Sequence, residues 1–376
     1  MGELPRLAVL CDATEEQWPS MDLVAEMLLT QVQRDYARVL DARGLRPHFI
    51  TAFRHVPGLR ARHRHNLNRA TTRFITYPLQ ILVQRRTFDI FHIVDNTYAH
   101  LANVLPEKRT GVFCHDLDAF SSLISPGSRK PARWRTAMAW AQLRGLQRAA
   151  VVFYSTQQVR AQLVGRGLVD SDRLVCAPYG VAREFWNLDG VGEDVPSGAL
   201  PNRPFLLHVG SNMPRKRLDI LFRVFAAVRS RIPELVLVQQ GARLQASDRQ
   251  LIESLGISDA LLQPPRLTRR VLAAFYRKAA LLLLTSDKEG FGLPIIEALA
   301  SGAAVLASDI PAFREVGDDA ISYFPVGDVD ACTDAVLRLL KQSNSLPSQA
   351  RRKARAGHFT WERHVGTIVN AYLQLL

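Results

Sequence analysis

Cysteine is scarce in this chain. Its 376 residues contain four (Cys11, Cys114, Cys176 and Cys332), scattered without any metal-ligand spacing. Such usage excludes a disulfide framework and a cysteine-held metal, and fits reduced thiols in a cytosolic protein. Long apolar runs are missing too: none approaches the ~20 residues that span a bilayer, and the N-terminus has no signal-peptide pattern. There is no low-complexity tract. Acidic residues are absent from two long windows, 51–88 and 119–169. Residues 1–185 hold 25 Lys and Arg against 16 Asp and Glu, so +9 of the net charge of +13 falls in the first half. A solvated basic surface is the plain reading. Attraction to anions, whether lipid headgroups, a diphosphate-linked molecule or nucleic acid, is the sharper one.

What is present is an ordinary globular composition, 47% hydrophobic and 22% charged, in a chain long enough for two domains. Short apolar runs at 7–10, 48–51, 90–94, 111–114 and 151–154 read as buried strands, with helical stretches such as 21–40 between them. The alternation predicts an α/β fold with a parallel, doubly wound sheet. After a Gly-, Pro- and acid-rich linker at 186–202, the pattern restarts with strands at 205–210, 235–239, 281–284 and 303–307. The expected organisation is therefore a first domain at 1–185 and a second at 203–360, with a cleft between them. The helical segment 361–376 crosses back to the first. Ligands of such sheets sit beyond the carboxyl ends of the strands. In the first half those ends carry Asp95 and Asn96, His115 and Asp116, and Trp18 in the loop after the first strand. The basic stretch 54–65 precedes an apolar one at 74–83, a pairing that suits either a surface loop before a core helix or a segment lying on a membrane.

The most informative stretch is Ser286-Asp287-Lys288-Glu289-Gly290-Phe291-Gly292-Leu293-Pro294-Ile295-Ile296-Glu297. It follows the strand at 281–284 and opens a helix, with Pro294 suited to the first helical turn. A glycine-bearing loop there aims backbone N–H groups and the positive end of a helix dipole at one point, which suits a phosphate. Carboxylates repel phosphate, so Glu289 and Glu297, the latter expected in the first turn, should meet hydroxyls. A ligand with both features is a nucleotide sugar.

This string resembles the E-x7-E motif of family 4 retaining glycosyltransferases, whose fold is GT-B: two Rossmann-like domains. Ala298-Leu299-Ala300-Ser301-Gly302, Glu315-Val316-Gly317-Asp318, Arg215-Lys216, Tyr276-Arg277-Lys278 and Pro178-Tyr179-Gly180-Val181 extend the likeness, which is close over 178–327 and only an outline before it. The resemblance implies that Glu297 holds the ribose hydroxyls and that Glu289 contacts the donor sugar near the reacting carbon. It further implies that the N–H groups of Gly290, Phe291, Gly292 and Leu293 meet sugar and diphosphate, that backbone near Leu267 reads the base, and that Lys216 with Arg215 neutralises the diphosphate. His115 matches the histidine that touches the donor sugar, and Asp116 would orient it. No cofactor or metal is implied.

Two positions depart from the family pattern. The loop after the first strand, residues 12–20, has no glycine, although Trp18 could stack on a sugar, and Ser211 stands where an arginine is common. The expectation is a retaining, metal-independent transferase moving a sugar from a UDP- or GDP-sugar to a saccharide or lipid-linked saccharide in polysaccharide or glycoconjugate synthesis. It would be cytoplasmic, with attachment to the inner face of the membrane through the basic half as an extension. A non-catalytic nucleotide-sugar binder or scaffold is the alternative. Nucleic acid is not an expected partner, because the aromatics do not interleave with the basic residues in a stacking pattern.

Overall fold

The computed structural model describes residues 4–53, 58, 60–124, 132–186, 196, 198, 200–241, 243–342 and 346–376. The chain forms two compact units, Met1–Tyr179 with Trp361–Leu376, and Gly180–Thr360.

The first unit is built on a parallel sheet of β1 (Arg6–Leu10), β2 (Asp41–Leu45), β3 (Ile90–Ile93), β4 (Thr110–Cys114), β5 (Val151–Tyr154) and β6 (Leu174–Cys176), in the order β2-β1-β3-β4-β5-β6. Its helices are α1 (Pro19–Asp35), α2 (Ala61–Thr71), α3 (Tyr77–Gln84), α4 (Ser121–Ile124), α5 (Arg133–Arg148) and α6 (Gln157–Gly165). A π-turn, Thr72–Thr76, joins α2 to α3, and a 3-10 stretch, Asn96–Val104, follows β3. The central strands β3, β4 and β5 are buried at every position, as strands covered on both faces must be. The last helix, Trp361–Leu373, packs on this unit, with Tyr372 Oη 2.7 Å from His92 Nδ1.

The second strand corrects the sequence reading. It is Asp41–Leu45, paired with β1 from Arg6↔Asp41 to Leu10↔Leu45, and residues 48–51 form no strand. Pairing with β1, and not apolar content, decides which segment joins the edge. The helix expected over 21–40 runs from Pro19 to Asp35, with Trp18 at the N-cap making no side-chain cap bond.

The second unit is again built on a six-stranded parallel sheet, with a different strand order. Its strands are β7 (Phe205–Val209), β8 (Val236–Gln240), β9 (Leu261–Leu262), β10 (Leu281–Leu284), β11 (Val305–Ser308) and β12 (Ser322–Phe324), in the order β12-β11-β10-β7-β8-β9, all parallel. Its helices are α7 (Arg183–Trp186), α8 (Leu218–Arg229), α9 (Ala246–Ser254), α10 (Arg269–Lys278), α11 (Leu293–Ala300), α12 (Pro311–Gly317), α13 (Val329–Lys341) and α14 (Gln349–Ala356). Residues 180–185 belong here and not to the first unit: α7 packs on α10 and α11, and Ser301 Oγ donates to the Phe185 carbonyl at 3.3 Å. Of the linker at 186–202, residues 187–195, 197 and 199 lie outside the described residues, as do 54–57 and 59 of the basic stretch.

All four cysteines are free thiols, and among the described residues no helix is long and apolar enough to cross a membrane.

One close approach sets the spacing of the first unit's layers. A Cβ on Gly145 of α5 would lie 1.9 Å from the Ala99 carbonyl oxygen, a backbone atom that cannot swing aside. Gly145→Ala should therefore destabilise the first unit by about 2–3 kcal/mol, as overpacking does. The check is calorimetry, with that unit's transition expected to fall by about 5–10 °C.

Candidate functional site

Each sheet reverses its strand order at one place, between β1 and β3 in the first unit and between β7 and β10 in the second. The crevice at such a reversal is where open α/β sheets bind ligands; Asp95 and Asn96 follow β3, Arg215 and Lys216 follow β7, and Glu289 follows β10, while His115 and Asp116 follow β4 and Leu267 follows the edge strand β9.

In the second unit, the loop after β7 carries Arg215 and Lys216, and the loop after β10 carries Glu289 to Leu293. The loops are tied together by backbone: Asp287 N–H donates to the Arg215 carbonyl at 2.9 Å, and Thr285 Oγ1 donates to the Lys216 carbonyl at 2.9 Å. Arg217, in the left-handed conformation at φ 49, turns the chain into α8. Glu289, only 7% exposed, receives Lys216 Nζ at 2.5 Å on Oε1 and Arg215 Nη1 at 2.5 Å on Oε2; Ser286 Oγ adds a third bond at 2.7 Å. Burial works against charge on Glu289, but Lys216, Arg215 and Ser286 outweigh it and hold its carboxyl below the usual range. It is thus a fixed anion, too well compensated to act as a base near neutrality.

Gly292 introduces α11. Its φ of +108 and the approach of Phe313, 2.9 Å from where a Cβ would stand, leave room only for glycine. The helix then starts with no side-chain cap at Gly292 and no acid in its first turn, so no carboxylate of the helix itself offsets the positive end of its dipole. The Phe291 ring is buried and packs edge-on against Phe359, with ring centroids 5.6 Å apart. Glu297 is the fifth residue of α11 and lies past the first turn where the sequence placed it, because the helix begins at Leu293. Its Oε2 accepts from the Tyr276 hydroxyl at 2.9 Å. Burial raises the Glu297 pKa to about 7 against the pull of Tyr276 and Arg269. Leu267, half-buried, sits just before Thr268, whose hydroxyl caps the helix α10 that supplies both Tyr276 and Arg269.

In the first unit, His115 follows β4. Its Nε2–H donates to the Val94 carbonyl at 2.6 Å, which leaves Nδ1 to accept from the Tyr179 hydroxyl. Burial lowers its pKa against the pull of Asp95, the Val94 bond and Asp116, so the ring is neutral near pH 7. Its ring is thus oriented by Val94 and Tyr179, while Asp116 Oδ1 accepts from the Asp118 N–H at 2.9 Å. Asn96 bridges two strand ends: its Oδ1 accepts from the His115 N–H at 3.1 Å and its Nδ2 donates to the Asp116 carbonyl at 3.0 Å. Asp95 caps the following 3-10 stretch through the Thr97 N–H and hydroxyl, both at 2.7 Å. Trp18 remains half-buried at the start of α1.

Around Asp95 the structure assembles residues that sequence reasoning did not single out. Asp12 is buried after β1; burial first, then the nearby negative charge of Asp95, push its pKa well above the ordinary carboxylate value. Glu16 accepts from the Tyr98 hydroxyl at 3.0 Å and pairs with Arg73 at 3.3 Å, and the Arg73 guanidinium lies over the Tyr98 ring at 4.0 Å. These side chains come from three separate stretches of the chain, 12–16, 73 and 95–98. The one cue in the sequence was the acid-bearing, glycine-free loop after the first strand. Tyr276, Arg269 and Ser286 were likewise unassigned, although they flank the motif residues. Among the described residues no group of three or more His, Cys, Asp or Glu could hold a metal ion.

Comparison with known proteins bears on this arrangement. Residues 193–357 match the family model of glycosyl transferases group 1. The chain is 32% identical over 231 residues to the D-inositol 3-phosphate glycosyltransferase of Geodermatophilus obscurus, covering 58% of this chain and 51% of that protein. It is 26% identical over 245 residues to the serotype-specific mannosyltransferase WbdA of Escherichia coli, covering 62% of this chain and 30% of that one. The chain thus spans about half the length of the curated relatives it matches, or less. Among solved structures, sucrose-phosphate synthase from Thermosynechococcus elongatus superimposes with a TM-score of 0.74 over 99% of both chains at 16% identity. Anabaena HepE in complex with UDP and glucose gives 0.72 over 98% of this chain and 99% of that one at 12% identity. The second unit is therefore similar to group 1 glycosyl transferases, and the fold of the chain is that of the GT-B glycosyltransferases.

Proposed function

We propose that this protein is a retaining glycosyltransferase that moves a sugar from a UDP- or GDP-sugar to a hydroxyl of a saccharide or lipid-linked saccharide. The observation that carries the reading is the strand-order reversal of the second sheet, where Arg215 and Lys216 are fixed on Glu289 in the loop that opens α11. The cations and the helix dipole suit a diphosphate. Glu297, with Tyr276 behind it, suits the two vicinal hydroxyls of a ribose. In transfer, the acceptor hydroxyl attacks the anomeric carbon, the bond from that carbon to the diphosphate oxygen breaks, and the departing diphosphate takes the hydroxyl proton. Arg215 and Lys216 then stabilise the charge that develops on the leaving group. Glu289 holds those cations in place and borders the donor sugar. The backbone of Gly290 to Leu293 lies along sugar and phosphate, and backbone near Leu267 takes the base. His115 contacts the donor sugar, while Asp95, with Asp12 and Glu16, receives acceptor hydroxyls. Asn96 and Asp116 shape that side and Trp18 offers a stacking face. The relatives support this reading, two of them being described as a glycosyltransferase and a mannosyltransferase and one structure containing UDP and glucose.

Three measurements test it. UDP or GDP should raise the melting temperature of the second unit, and Glu297→Ala should remove the shift; no response to any of UDP, GDP or ADP sinks the assignment. Binding should also depend on pH. Ionised Glu297 accepts ribose hydroxyls better than its neutral form, and its carboxyl titrates near 7. Affinity for the nucleotide should therefore improve by up to about tenfold between pH 6 and 8 in the wild type, beyond any change in Glu297→Gln. Lys216→Ala should lower the transfer rate by about 10²–10³-fold, with a smaller loss in nucleotide binding. Binding with neither transfer nor slow donor hydrolysis in the wild type would favour a non-catalytic binder.

A further inference from the structure

One layer of the first unit shows water an apolar surface that no part of the proposed reaction uses. The helical run from Ala61 to Gln84 turns Tyr77 and Ile81 into the core. At 100° per residue, Ile75, Leu79 and Val83 point the opposite way, and they are 54%, 56% and 82% exposed. Beyond the 3-10 stretch Asn96–Val104, α5 presents Trp134 and Trp140 to solvent, 59% and 57% exposed. Both elements anchor on that stretch: Arg85 Nη1 donates to the Val104 carbonyl at 2.9 Å, and Asn103 Nδ2 to the Ala141 carbonyl at 2.9 Å. The links β2 to β3, β3 to β4 and β4 to β5 all advance the same way along the sheet. Right-handed crossovers therefore put them on one face, opposite α1. The segments 60–87 and 132–150 contain eleven arginines and no Asp or Glu. Beside Trp140, an open depression of about 710 Å³ is lined by Arg144, Arg148, Gln147, Asn103 and Ala141; Arg148 also pairs with Glu107 at 3.4 Å.

We propose that this α3–α5 face docks the protein on an anionic lipid surface, with Ile75, Leu79, Val83 and the two tryptophans entering the headgroup boundary and the arginines meeting lipid phosphates. The proposal stands apart from the transfer reaction and does not rest on it. Each component matches what an interface offers. Aliphatic side chains gain by leaving water, tryptophan prefers the boundary between tails and headgroups, and arginine can lay its stem along apolar surface while its head stays with phosphate. A second copy of this chain is a poor occupant, since its own arginines would oppose these. Nucleic acid would satisfy the arginines and leave the aliphatic row in water. A bilayer with negative headgroups satisfies both.

The experiment is flotation of the intact protein with vesicles of phosphatidylcholine alone or of phosphatidylcholine with phosphatidylglycerol. The expected result is binding to the anionic vesicles, weakened by salt, with a blue shift of tryptophan emission and quenching by brominated lipid. Leu79→Glu/Val83→Glu should weaken binding about tenfold or more, and Arg133→Ala/Arg144→Ala should reduce its salt-sensitive part. Both variants change exposed positions, so melting temperature and the nucleotide-induced shift should stay at wild-type values, which separates failure here from failure of the transferase reading. The proposal is overturned by absence of binding to anionic vesicles, or by binding that Leu79→Glu/Val83→Glu leaves intact. Dimerisation abolished by that variant, or RNA binding tighter than vesicle binding, overturns it equally.

Discussion

A buried carboxylate held between two cations organises the second unit. Glu289 comes from the loop after β10, and Arg215 and Lys216 from the loop after β7, so the ion triad joins the two strands at the point where the sheet reverses its order. Taking a carboxylate out of water is costly, and a single partner rarely offsets that cost. Two cations and the Ser286 hydroxyl do. The result is a pair of positive groups fixed in the loop region that precedes α11, in largely buried surroundings where little solvent has to reorganise around them. That is the condition under which electrostatic stabilisation is most effective. The same triad explains the backbone stitching around it, since the bonds from Asp287 and Thr285 to the neighbouring loop set the distance at which the ions meet.

The first unit has the same topology at its reversal but the opposite electrostatics. Asp12, Glu16 and Asp95 gather at the ends of β1 and β3, with Arg73 as the cation among them. An anion would be repelled there, whereas hydroxyl groups would find acceptors. Two parallel sheets thus present different side chains at their reversals, cations around one carboxylate in the second and carboxylates around one cation in the first. The difference lies in a few loop residues at corresponding places. That is why a fold shared with structures at 12–16% identity determines where ligands bind and not which ones.

Much of this plan was legible in the sequence because buried parallel strands read as apolar runs. Leu281–Leu284 and Phe205–Val209 needed no tertiary information. What was missed has physical reasons. Strands β9 and β12 are two and three residues long, below the length at which periodicity carries a signal. The segment at 48–51 is more apolar than Asp41–Leu45, yet the latter pairs with β1, since edge position tolerates Asp and Gly. In the candidate site, contiguous residues were readable and convergent ones were not. Glu289 and Glu297 share one string. Asp12, Glu16, Arg73 and Asp95 come together only once the sheet has placed three loops at one edge. His115 could be placed at a strand end, but its partners Val94 and Tyr179 lie 21 and 64 residues away.

The excess positive charge of the first half takes on a different meaning once located. As a sum over residues 1–185 it suggested that the chemistry of that half is directed at anions. The structure separates the two. Asp12, Glu16 and Asp95 gather at the ends of β1 and β3, while the acid-free segments 60–87 and 132–150 carry arginine together with exposed Leu, Ile, Val and Trp. Charge placed at a surface layer acts by steering and by surface attraction, and it is screened within about 8–10 Å at physiological salt. Charge in a buried network acts on a single bound group. Net charge alone cannot tell these apart; the burial of Asp12 and Asp95 and the exposure of Val83 and Trp134 can.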